Sequence, residues 1–199
     1  MRAIQGAVFA LAFAFAAAVN AQSTQRIRGD VVSVDGPKLT VKTRSGEMAS
    51  IALAEPYRVS AVVRSTPEAI VQGSYVGIAS MPQPDGTGRA LEVLVFPESG
   101  RGSGEGHYAW DLRPGSMMTN ATVAQVVGVD SGRRITLRYK DGEKTITVPP
   151  DAPIVTLEPG STEMLRPGAH VMLNARVQPD GSLTATGVAV GKDGLVPPM

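Results

Sequence analysis

An all-β fold made of two small barrel modules in tandem is what this sequence predicts, on three observations. Residues Val31–Val95 are written a second time as Val126–Val190. Within each copy, short runs alternate apolar and polar residues with the period of two that places one face of a strand in a core. Between those runs stand Asp-Gly, Ser-Gly and Pro-Gly steps, the chemistry of tight turns. The repeat decides what the folding unit is, so it is read before the elements. Val31-Val32-Ser33-Val34-Asp35 returns as Val126-Val127-Gly128-Val129-Asp130 and Gln83-Pro84-Asp85-Gly86 as Gln178-Pro179-Asp180-Gly181, and one offset carries Ile51 onto Ile146, Glu68 onto Glu163, Gly73 onto Gly168 and Val76 onto Val171.

Residues 1–21 have the pattern of a secretory signal peptide: Arg2, an apolar run from Ala7 to Val19, and small residues at Val19-Asn20-Ala21. That run is shorter than the ~20 residues needed to span a bilayer. Cleavage near Ala21-Gln22 and a periplasmic or secreted mature chain are expected. The remaining chain holds no apolar stretch long enough for a membrane span. It has no cysteine, so neither disulfides nor a lipidated cysteine can stabilise or anchor it.

Module 1, residues 22–98, begins with a strand at Arg28–Val34, turns at Asp35-Gly36-Pro37, and continues through the alternating Lys38–Thr43. Ser45-Gly46 then leads into Ala49–Leu53, and sequential antiparallel pairing is expected. Ser65-Thr66-Pro67-Glu68 is a helix start and Gly73 a stop, leaving room for a turn or two of helix that acts as a plug or corner. Tyr75–Ile78 and Ala90–Val95 complete the copy, with Asp85-Gly86 between them. Module 2, residues 121–192, repeats the series with Ile135–Leu137, Thr145–Val148, the Ser161-Thr162-Glu163 start, His170–Leu173 and Ala185–Val190. Roughly 70 residues is close to the smallest self-sufficient core, and closing the sheet removes exposed edges. An OB-like, partly open barrel fits each copy, and separate barrels that touch are favoured over a shared sheet. Residues 193–199 read as a flexible tail.

The pattern of Val-Asp-Gly, alternating strand, Gly-Glu, alternating strand, Ile-x-x-Gly-x-x-Val and late Asp-Gly resembles a secreted bacterial domain-of-unknown-function family with tandem OB-like repeats. Gly104–Leu112 and Met118–Thr122 are similar to members sometimes labelled automatically as metal ABC transporter permeases. A chain without spanning helices cannot be a permease, so the resemblance implies an exported protein of two OB-like modules and nothing about transport.

Charge narrows the partners. Setting Arg2 aside from the 19 Lys and Arg leaves 18 against 18 Asp and Glu, with no long run of one sign. Nucleic acid is therefore not an expected partner, since phosphate tracking needs clustered cations and aromatic platforms are scarce. An envelope protein or a small ligand is expected instead.

The unrepeated connector, residues 99–120, is the most site-like segment. It begins as a Gly/Ser linker, yet within it fall the single Trp of the chain, one of its two His, a Tyr and two adjacent Met. One reading makes Tyr108, Trp110 and Leu112 an inter-module anchor, with the indole N–H on a backbone carbonyl and Asp111 and Glu105 capping turns or pairing with Arg113 and Arg101. The other makes His107, Met117 and Met118 ligands of a copper ion, with Trp110 as its cover, because imidazole and thioether suit Cu(I). That set resembles the ligands of periplasmic copper chaperones, which are small OB-like barrels. Vicinal Met117 and Met118 on an extended segment point to opposite faces, however, so at most one ligates. Glu105, His107 and Asp111, or Ser103 with His107 and Asp111, match no catalytic spacing, and no nucleophile elbow accompanies them. The expectation is an exported, soluble, non-enzymatic binding or interaction protein without a cofactor; the alternative is a periplasmic metal-handling protein.

Overall fold

The computed structural model describes residues 23–199; the segment read as a signal peptide and its cleavage point at Ala21-Gln22 lie outside them. The described chain is all-β. Its strands are β1 (Thr24–Asp35), β2 (Lys38–Thr43), β3 (Met48–Arg64), β4 (Tyr75–Pro82), β5 (Gly88–Val95), β6 (Gly106–Ala109), β7 (Met117–Val129), β8 (Gly132–Tyr139), β9 (Gly142–Val148), β10 (Ile154–Pro159), β11 (His170–Val177) and β12 (Leu183–Gly191). Alternation does what the sequence requires: Leu39 and Val41 of β2 are buried while Lys38 and Lys42 face out. At the repeated Asp-Gly turns, Gly86 and Gly181 adopt φ of 81° and 82°, a conformation that costs an L side chain strain. The two helix-start signals each yield a single 3-10 turn, Pro67–Ala69 and Thr162–Met164.

Strand pairing joins all of these elements into one continuous sheet that closes on itself. Strands β12, β11, β1, β2 and β3 pair in that order, and β3 returns to β12 in parallel through Ile51–Leu53 and Arg58–Val62, giving a closed five-stranded barrel. Strands β5, β4, β7, β8 and β9 form a second ring, closed by a short parallel contact of Gly88 with Ile146 and Arg89 with Thr147. Neither ring is one copy of the repeat. The barrel takes β1–β3 from the first copy and β11–β12 from the second, while the ring takes β7–β9 from the second and β4–β5 from the first. Two touching barrels, each folded from one copy within 22–98 and 121–192, are therefore not what the pairing shows.

The exchange runs through β3, a strand of 17 residues: one edge stays on β12 as far as Val62, while the other passes from β2 to β10. Its far end pairs antiparallel with β10, and Val62 stands opposite Leu157, its own counterpart under the repeat offset. The two copies are thus related by an approximate twofold axis through that pair. The residue that ends each 3-10 turn then plugs a core built from strands of both copies. Ile70 is buried with Ile78, Val123, Ile135 and Ile146 in the ring, and Leu165 with Ile27, Leu39, Val171 and Val190 in the barrel. A third cluster, Val62, Leu94, Val155 and Met199, fills the seam between the two.

The tail, expected to be loose, is docked. Met199 is only 5% exposed, its backbone oxygen accepts from Arg28 Nε, and Pro197 O accepts from Arg44 at 2.9 Å. Small residues of β12 make the room. A Cβ on Gly191 would lie 1.6 Å from Leu195 O, so only glycine lets the tail backbone pass.

Candidate functional site

The connector is built, not slack. Pro97 O starts a 3-10 turn at Glu98–Gly100, Arg101 binds Glu98 at 2.5 Å and Gly73 O at 3.0 Å, and Ser103 O accepts from Tyr75 Oη and Asn120 Nδ2. The chain then forms β6, antiparallel to β7 with His107 opposite Thr119 and Tyr108 opposite Met118. Trp110 extends that ladder, its N–H donating to Ser116 O at 2.8 Å. Buried Ser116 Oγ donates into Trp110 O and Arg113 O, which closes residues 110–116 into a loop of fixed shape.

That loop projects from the second ring onto the barrel. The Arg26 guanidinium carbon lies 3.5 Å from the centroid of the Trp110 ring, and Arg28 stands 5.7 Å from it. Asp111 Oδ1 accepts from Arg26 at 2.7 Å and from Arg28 at 2.8 Å. Burial raises the Asp111 carboxyl, but the hydrogen bonds and charges of Arg28 and Arg26 outweigh it and hold the group at about 2. Leu112 is half-buried and lines a small cleft with Ile27, Thr43 and Arg44. Tyr108, 6.1 Å from Trp110 between centroids, accepts from Asn120 Nδ2. Tyr108, Trp110 and Leu112 thus sit where the second ring meets β1.

The contacts differ from the expected ones in detail. Asp111 pairs with Arg26 and Arg28, not with Arg113, and Arg101 pairs with Glu98. Glu105 accepts from the Lys140 N–H at 3.0 Å. The indole N–H of Trp110 is buried and meets no carbonyl.

The residues read as copper ligands are divided between two faces of the β6–β7 pair. Cross-strand partners share a face and neighbours along a strand alternate. His107, opposite Thr119 and bonded to its Oγ1 at 2.8 Å, therefore shares a face with Met117, whereas Met118 lies on the opposite face with Tyr108. Trp110, two residues beyond Tyr108, belongs to that second face and is covered by a guanidinium. The His107 ring instead stacks on Tyr139 at 6.3 Å, with its basicity lowered by burial and by Lys144. Among the described residues no group of three or more His, Asp or Glu is placed to hold a metal ion. Asn120 is buried, its amide donating to Tyr108 Oη and Ser103 O.

Sequence reasoning missed Arg26, Arg28 and Glu92. Arg26 and Arg28 flank buried Ile27, so period-two alternation puts both on one outward face; the partner for that face, 85 residues away, left no local signal. Glu92 reads as an outward residue of β5, yet it is 1% exposed with neither carboxyl oxygen in a well-formed hydrogen bond. Burial pushes it up to about 8, against the lowering influence of Arg28 and of the Ala79 backbone N–H.

A larger groove, of about 770 Å3, runs along the seam beside the connector. The end of β3 (Tyr57–Ser60), the connector from Phe96 to Ser103, and the Leu157–Glu163 segment wall it. Comparisons with protein-family models, with curated proteins and with solved structures return no match for this chain.

Proposed function

We propose that this chain is an exported binding protein of the bacterial envelope, which holds a small ligand or a partner protein by non-covalent contacts and catalyses no reaction on it. The seam groove carries this reading. Its volume of about 770 Å3 falls within the range of ligand clefts, and its walls come from both repeats and the connector. Half-buried Tyr57, Val59, Phe96 and Leu157 offer apolar contact, while Arg58, Glu158 and Glu163 supply rim charges that orient a ligand. Pro97 and Pro159 lack the N–H a docking strand needs, so recognition there goes through side chains and not sheet extension. The apolar run from Ala7 to Val19 with the small residues that follow it supports export, as does the resemblance to a secreted family with tandem repeats.

Screening the purified full chain on peptide and glycan arrays, and repeating the screen with Leu157→Glu and Tyr57→Ala, tests the groove. Loss of a binder in both variants is expected. A binder unaffected by either substitution places the site elsewhere, and chemical turnover of a bound species overturns the non-enzymatic reading. A reporter fused after the N-terminal segment and retained in the cytoplasm overturns export.

A further inference from the structure

Glu92 lies behind the contact between Asp111 and the two arginines, and the binding groove makes no use of it. It stands opposite Ala79 just past a bulge in the β4–β5 pairing, and the bulge turns it, with Leu94, away from the ring core and toward the seam. The second copy has Gly187 at the corresponding place, so this carboxyl belongs to one copy alone. The seam it faces is lined by the apolar side chains of Val62 of β3, Val155 of β10, Leu94 of β5 and Met199 of the tail, and Met199, the last residue, also brings a terminal carboxylate whose oxygen accepts from Arg28 Nε. Arg28 of β1 is the charged group that bears on it. Beyond Arg28 stand Asp111, whose Oδ1 accepts from both Arg28 and Arg26, and Arg44, which feels Arg28, Asp111 and Asp30.

Polar atoms on both sides of this contact lack a well-formed partner: the oxygens of Glu92, approached only by the Ala79 backbone, Nε of Arg26 and the indole nitrogen of Trp110. Buried unpaired polar groups cost free energy that an alternative arrangement, or admitted water, recovers. Arg28 is the group that both carboxyls can claim. We propose that Glu92 and Asp111 compete for Arg28, so that the proton on Glu92 decides whether the Trp110–Asp111 loop is fastened to the barrel.

With Glu92 protonated, its neutral carboxyl leaves Arg28 to Asp111 and to the Met199 backbone oxygen. Loss of the proton to solvent puts a negative charge in a dry seam, and the nearest cation turns to it. Asp111 then keeps Arg26 alone, an exposed pair of small worth, and the loop is released. Burial sets Glu92 at about 8 while Asp111 stays at about 2, so only the first carboxyl changes charge in the mildly alkaline range.

Trp110 is the single tryptophan of the chain, so its emission reports the fastening directly. Acrylamide quenching of the full chain is followed from about pH 6 to about pH 9.5, with far-UV circular dichroism alongside. Quenching is expected to be low below neutrality and to rise with a midpoint near 8 while the dichroism stays constant. Glu92→Gln removes the rise, and Asp111→Asn gives high quenching at every pH. Tyr108 does not mimic the transition, because burial raises its ionisation above the ordinary value of 10. Flat wild-type quenching, a midpoint that survives Glu92→Gln, or loss of dichroism over the same range each overturns the proposal. Should Glu92→Gln fail to fold, Arg28→Gln removes the contested cation and must abolish the midpoint as well.

Discussion

Replacing Glu92 with glutamine tests what burying its carboxyl costs the fold. Burial moves this group from its ordinary 4.5 up to about 8 in the folded chain. Between those values the unfolded chain has released the proton and the folded chain still holds it, so stability falls as pH rises. The contribution is fully present below 4.5 and is lost as pH climbs through about 8. The slope is about 1.4 kcal/mol per pH unit, which accumulates to roughly 5 kcal/mol over the whole span. Glutamine keeps the size and loses the titration. Two other groups act with the opposite sign. Asp111 contributes stability present above its ordinary 3.8 and lost as pH falls toward about 2, and His107, lowered by burial and by Lys144, costs stability as pH falls below its ordinary 6.5. Both remain in the variant, so the difference between the two proteins isolates Glu92. Urea unfolding at fixed salt from about pH 5 to about pH 8 should show the variant gaining on the wild type steadily, by several kcal/mol at the alkaline end. Parallel stability curves would refute the reasoning, because a carboxyl that ionises in the fold at its ordinary pKa gives no difference slope.

Three more outcomes follow from the exchanged strands and the docked tail. A protease site inserted between Gly102 and Ser103 and then cut should leave the two fragments together on a sizing column without denaturant; two self-contained modules would separate. Leu165→Ala, which empties the plug of the closed barrel, should cost about 3 kcal/mol in urea unfolding, and a change below ~1 kcal/mol would mean that the 3-10 turn does not seal that core. Gly191→Ala should free residues 195–199 to limited proteolysis, since its Cβ would meet Leu195 O at 1.6 Å; an equally protected tail would show that the backbone there can yield.

The candidate site was legible only on one side of each contact. Tyr108, Trp110 and Leu112 stood out because an unrepeated, glycine-flanked stretch carried large side chains, and within it Trp110 stacks on Arg26 of β1. Their partners did not stand out. Arg26 and Arg28 are ordinary outward residues of a strand, and Glu92 occupies a position that alternation assigns to solvent until a bulge and a second sheet bury it. The split of Met117 and Met118 onto opposite faces was legible from their adjacency in an extended segment; which of the two shares a face with His107 was not, because that depends on the register of β6 against β7.

What the sequence by itself determined was local: strand positions from period-two alternation, turns from Asp-Gly and Gly at positive φ, the two plugs from Ser-Thr-Pro-Glu and Ser-Thr-Glu, and the doubling of the whole. Which strands close on which was decided only in three dimensions. Two near-identical copies offer nearly the same edges and apolar faces, so a strand's pattern fits its own copy and the other equally well. The pairing of β3 resolves that tie: one of its edges closes the barrel on β12 as far as Val62, while the other passes from β2 to β10 and so leads to the second ring. The seam created by that exchange then buries Glu92 beside Arg28 and sets Trp110 on Arg26, contacts between residues that share no neighbourhood in the sequence.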